Sequence, residues 1–93
     1  MSLSTKFFAT KDPSAVLDYS FDWSAWLGTD TIDSSSWSVP TGITKTSDSH
    51  TFITTTVWLS SGTVDTNYET VNTIVTAGGR TDQRTLTIRC REK

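Results

Sequence analysis

The stretch GTVDTNYETVNTI, residues 62–74, places a tyrosine where a polar corner runs into an alternating strand. Before Tyr68 come small and turn-forming residues, with Gly62 and Asp65 of the kind that reverses a chain. From Tyr68 onward the side chains alternate. Tyr68, Thr70, Asn72 and Ile74 share one face, and Val71 and Val75 lie on the other. A tyrosine that opens a penultimate strand after such a corner is a tyrosine corner, whose hydroxyl bonds back to the backbone a few residues upstream. With that face inward, Asn72 is buried and needs hydrogen-bond partners.

Working outward, AGGRTD (77–82) reads as a hairpin turn in which Gly78 and Gly79 supply positive φ. The last strand, Arg84 to Arg91, alternates cleanly, with Leu86, Ile88 and Cys90 inward and Thr85, Thr87, Arg89 and Arg91 outward. On the other side of the corner, FITTTVWLS (52–60) is a further strand. Ile53, Thr55, Val57 and Leu59 are expected inside, and Phe52, Thr54, Thr56 and Trp58 outside. VPTG (39–42) is a turn, followed by a short polar strand over 43–49. A strand over 31–39 carries Ile32 and Trp37, which share a face only if the serines at 34–36 contain a bulge. Nearest the N-terminus, Leu17, Tyr19, Phe21 and Trp23 alternate with Asp18, Ser20 and Asp22, and Gly28 and Asp30 mark the turn that follows.

Six or seven short strands, with turn signals about every 8–12 residues, define an all-β chain. The arrangement is an immunoglobulin-like β-sandwich of about seven strands. Thr70 stands where antibody domains place a cysteine, and Cys90 is the single cysteine, so the sandwich has no disulfide. Trp23, Trp37 and Tyr68 are its expected structural aromatics. The composition agrees. Charged residues make up 19% of the 93, net charge is only −2, and four Trp, four Phe and two Tyr set the chain apart from disordered ones. Abundant Thr suits pleated surfaces. This length is one domain, placed at 11–93, with 1–10 set apart as an N-terminal segment, partly flexible or vector-derived.

Several functions find no support. The absence of a basic cluster argues against nucleic acid as a partner, and no apolar run is long enough for a membrane span. A chain that needs no oxidation can fold in a reducing cytoplasm. Asp18 and Asp22 fall on one strand face but about 13 Å apart, at roughly 3.3 Å per residue. A glycosidase acid–base couple needs a closer pair. They read as the wet side of a strand whose other side is core. Asp30, Asp33, Asp48 and Asp65 are scattered over turns without a calcium-loop pattern, so no metal is expected. His50 lies in a polar turn, while Cys90 alternates with core residues, so no nucleophilic pair forms. No cofactor motif is present; the glycine pair of 77–82 lacks a phosphate-loop lysine and leads to a strand. What remains is aromatic. Trp26 and Trp58, with Val71 and Val75, are the candidate interface, expected as an apolar patch on a sheet.

The residues Asp18-Tyr19, Asp22-Trp23, Trp26-Leu27, Asp30-Thr31-Ile32, Trp37, Gly42 and Val57-Trp58-Leu59 carry a further signal. With Gly62, Tyr68, Asn72, Gly79-Arg80-Thr81-Asp82 and Arg84, they give a pattern from Lys11 to the end. That pattern resembles small immunoglobulin-like virion proteins of tailed phages and prophages, of the fibre–tail adaptor kind. Cys90 and the polar stretch 45–51 depart from it. The resemblance implies a non-enzymatic structural protein of the virion, assembled in the bacterial cytoplasm. Its partners would be phage tail or fibre proteins, and it would be oligomeric only within the particle. The alternative is a carbohydrate-binding or adhesive module, with Trp26 and Trp58 side by side as sugar-stacking rings.

Overall fold

The computed structural model describes residues 5–91, with side chains from Phe7 to Arg91. Residues 1–4, part of the segment set apart above, lie outside the described residues. Seven strands and one helical turn follow in the order β1 (Thr5–Lys11), β2 (Leu17–Asp22), α1 (Ser24–Leu27), β3 (Ile32–Ser38), β4 (Ile43–His50), β5 (Thr54–Ser61), β6 (Asn67–Thr76) and β7 (Thr81–Cys90). They form two sheets, β1-β7-β6-β3 and β2-β5-β4, the all-β sandwich the alternation requires. All pairings are antiparallel except that of β1, which runs parallel to β7 with Thr5 opposite Arg84 and Lys11 opposite Cys90. Residues 5–10 are therefore a strand of the sandwich. Their partner lies at the far end of the chain, out of reach of any local pattern.

Asn72 is fully buried and reaches partners in both sheets. Its Nδ2 donates to Ser35 Oγ (3.0 Å) and to the Ser36 carbonyl (3.0 Å) on the neighbouring β3. Its Oδ1 accepts from Thr55 Oγ1 (2.6 Å) on β5 of the opposite sheet, and from Trp23 Nε1 (3.2 Å) just beyond β2. Trp23 Nε1 also meets Thr55 Oγ1 at 3.2 Å. One amide thus uses both donors and its carbonyl oxygen inside the core, where an unmatched polar group costs about 1–3 kcal/mol.

Around this node the core is aromatic. The Phe21 ring stacks on Trp37 at 5.5 Å and 11°, meets Phe7 at 4.8 Å and stands edge-on to Trp23 at 6.5 Å. Ile32 and Trp37 are both buried, as a bulge between them requires. The register shift falls at Asp33, between Ile32 and Ser34, and not in the serines at 34–36. Two expected core positions differ. Leu17 is partly exposed because it opens β2 at the end of the sandwich. Ile53 is exposed because it precedes β5, in a loop whose carbonyls at Phe52 and Ile53 accept from Ile32 N and Trp23 N.

The tyrosine corner forms, with Tyr68 Oη accepting from Thr63 N at 2.9 Å, five residues upstream. Gly42 makes room for the ring: it holds φ 105°, and a Cβ there would lie 2.9 Å from Tyr68 Cε1. Lys11, at the end of β1, is the unforeseen core residue. Its fully buried ammonium donates to the carbonyls of Ser61 (2.6 Å), Asp12 (2.9 Å) and Pro13 (3.4 Å), which fastens β1 to the end of β5. Three carbonyl acceptors supply the solvation that burial removes.

Replacing Asn72 by Ala takes the acceptor from the Thr55 hydroxyl proton and the Asn72 donor from the Ser36 carbonyl, and it leaves a cavity, so Asn72→Ala is expected to lower stability by about 3–5 kcal/mol. Tyr68→Phe strands one N–H that water can reach and costs about 1–2 kcal/mol. Urea unfolding with an unchanged slope checks this order; a larger loss for Tyr68→Phe contradicts it.

Candidate interaction surfaces

Asp18 and Asp22 are exposed, on the solvent side of β2. Asp22 has a local task. Its Oδ1 accepts from Ser24 N at 2.9 Å, at the start of α1, and this hydrogen bond holds its carboxyl below the usual range. The sequence gives little warning of α1, because one turn is too short for a helical period to appear. Among the described residues no group of three or more His, Cys, Asp or Glu side chains is placed to hold a metal ion. His50, at the end of β4, pairs with Thr55, whereas Cys90 packs against Gly62. That is seven residues along β5 and beyond it, about 23 Å. They cannot act together.

Trp26 sits on α1, half-buried, with its ring edge-on to Trp23 at 5.6 Å. The Arg80 guanidinium lies 4.3 Å from the ring centre. Arg80 also donates to Asp30 Oδ2 (3.1 Å) and to the Leu27 carbonyl (2.9 Å). Asp30 in turn accepts from Gly78 N and Thr31 N. Trp26 is thus part of a clamp that ties α1 and the following turn to the β6–β7 hairpin. The Thr76 hydroxyl, these N–H groups and Arg80 outweigh desolvation and hold the Asp30 carboxyl at about 2.

Trp58 is 40% exposed on the outer face of β2-β5-β4, opposite Asp18. Val75 is partly exposed and Val71 half-buried on β6, in the other sheet. The expected patch of Trp58 with the two valines does not form: strand alternation puts all three outward, but on opposite sides of the sandwich. Nor do Trp26 and Trp58 make a sugar platform. Trp58 pairs with Asp18, four residues and about 13 Å before the end of β2 that leads into α1, and the Trp26 ring is covered by Arg80. Other apolar side chains are more exposed, notably Phe8 at 77% on β1 and Phe52 at 72% in the β4–β5 loop. The Phe7-Phe8 pair was visible in the sequence, but it lay in the segment set apart from the domain.

Fold and surface together define an immunoglobulin-like β-sandwich in which Asp22 and Asp30 serve turns and Trp23, Trp26 and Trp37 serve clamp and core. A family model described as podophage GP4 fiber-tail adaptor protein gp77 matches residues 11–89, nearly the whole sandwich. The chain belongs to that family of phage proteins. No curated protein matches it.

A carboxyl held low by the fold stabilises above its ordinary value, and that contribution disappears as pH falls through its folded value. Wild-type protein should therefore lose stability from pH 3.8 down towards about 2 through Asp30, and Asp30→Asn should flatten that part of the profile. Carboxyl titration by NMR checks the cause; an Asp30 midpoint at the ordinary value contradicts it.

Proposed function

We propose that this chain is a non-enzymatic structural adaptor of a phage or prophage virion, which joins tail and fibre subunits through protein–protein contacts. The observation that carries this reading is the family match over residues 11–89. The fold supports it. The acids are dispersed, Trp23, Trp26 and Trp37 are engaged in packing, and a single core presents two outer sheet faces to neighbours. The absence of a disulfide suits assembly in the bacterial cytoplasm and residence in the particle. Among the described residues, exposed apolar side chains are spread over β1, β2, β5, β6 and the loops, which suits contacts weaker than those of an obligate oligomer. The isolated chain is accordingly a monomer or weak oligomer that becomes ordered in multiple copies only in the particle.

Mass spectrometry of purified particles released on prophage induction tests the proposal. Several copies per particle are expected. Absence from intact particles, with the chain present in the cell, contradicts it. Light scattering of the isolated protein should report a monomer at low concentration; a concentration-independent trimer or hexamer would overturn the oligomer claim.

A further inference from the structure

We propose that the open edge of β1, with the groove between β1 and β2, docks one extended segment of a partner chain, which adds to the β1-β7-β6-β3 sheet as a fifth strand. The identity of that partner as a tail or fibre subunit rests on the adaptor reading above; the site itself rests on backbone direction and groove shape.

Proteins ordinarily blunt their sheet edges with charges, bulges or covering segments. Three of the four edges here are blunted. β3 is bulged at Asp33, β4 shifts register between Lys45 and Ser47 and carries exposed Lys45 and Asp48, and β2 bears Asp18 and Asp22 and ends in α1. β1 differs. It keeps an unbroken register with β7 from Thr5 to Lys11, and after Lys6 its middle is the uncharged run Phe7-Phe8-Ala9.

Backbone direction along β1 is fixed at two points. The Lys11 carbonyl accepts from Arg91 N and so faces the β7 side. The Thr10 carbonyl accepts from Tyr19 Oη at 3.2 Å and so faces away from β7. Alternation then turns the N–H and C=O of Phe8 to the edge away from β7, and among the described residues the Phe8 ring is also the most exposed large apolar side chain. Beside this edge lies a groove of ≈ 410 Å³, lined by the apolar Phe7, Phe21, Trp37 and Leu86 with Tyr19, and by the charged pair Asp22 and Arg84, a size typical of ligand sites. Trp37, whose indole forms part of this wall, is itself buried.

A strand fits both features at once. Its backbone pairs with Phe8, and every second side chain turns into the groove, so the segment that binds is apolar at alternate positions. A second copy of this domain does not fit. The inward side chains of its own β1 are already packed in its own sandwich, leaving none for the groove. A contact limited to two such short edges falls below the roughly 1,200 Å² of a stable pair.

The test uses short synthetic peptides tiling the tail and fibre subunits of the same phage, titrated into the whole protein by NMR. Phe8→Pro removes the edge-facing N–H without touching the β7 ladder, and Phe8→Thr keeps that N–H. At least one alternating peptide should bind, shifting the Phe8 amide and the Trp37 indole. Phe8→Pro should weaken it by about tenfold at unchanged thermal stability, with most binding kept in Phe8→Thr. Equal binding by Phe8→Pro, or shifts centred on Trp58 or Phe52, overturns the site. So does the absence of peptide binding, whether or not intact subunits bind; particle composition then decides the adaptor reading separately.

Discussion

The sandwich depends on one buried amide. Two sheets packed through apolar side chains alone have many nearly equivalent ways of sliding over each other. Asn72 removes that freedom. Its hydrogen bonds are satisfied together only when β3 lies beside β6 with Ser35 and Ser36 in register, and when Trp23 and Thr55 arrive from the opposite sheet. A fully matched polar network specifies one arrangement, whereas a half-matched one is worse than an apolar core. The aromatic layer then builds outward from the position this fixes for Trp23, through Phe21 to Trp37 and Phe7.

Lys11 and Arg80 do for the two ends what Asn72 does for the middle. At one end the Lys11 ammonium ties β1 to the exit of β5 through carbonyls. At the other, Arg80 binds the Leu27 carbonyl, Asp30 and the Trp26 ring, so the β6–β7 hairpin holds α1 in place. Arg84 lies over Trp23 at 3.9 Å and donates to the Asp22 carbonyl. Lys11, Arg80 and Arg84 thus each close a loop or strand end onto the core. Among the described residues, the exposed rings Phe8, Phe52 and Trp58 are the ones that packing does not explain.

Alternation made β5, β6 and β7 legible because each turns one face to the core, although Thr87, expected on the outer face of β7, is buried as well. The corner before Tyr68 announced the fold. The sequence also showed that Asn72 would need partners. It did not show which, since Ser35, Trp23 and Thr55 come from three separate stretches. A bulge was required by the odd spacing of Ile32 and Trp37, but the residue extruded depends on pairing with β6, and it is Asp33. Periodicity also says nothing about which sheet a strand joins. Trp58 and the valines at 71 and 75 were therefore read as neighbours when a whole sandwich separates their faces. β1 was set aside for the same reason, because a parallel strand whose partner is the last in the chain has no local signature. Of the candidate surface, the individual exposures were partly readable and their grouping was not.

Hydrogen exchange of the Trp23 indole N–H, followed by NMR as denaturant is added, tests the central role of Asn72 most directly. A proton held by both Thr55 and Asn72 at the junction of the sheets should exchange only when the whole domain unfolds, with the full denaturant dependence of global unfolding. Exchange through a local opening, insensitive to denaturant and faster than global unfolding allows, would contradict the claim that this amide holds the two sheets together.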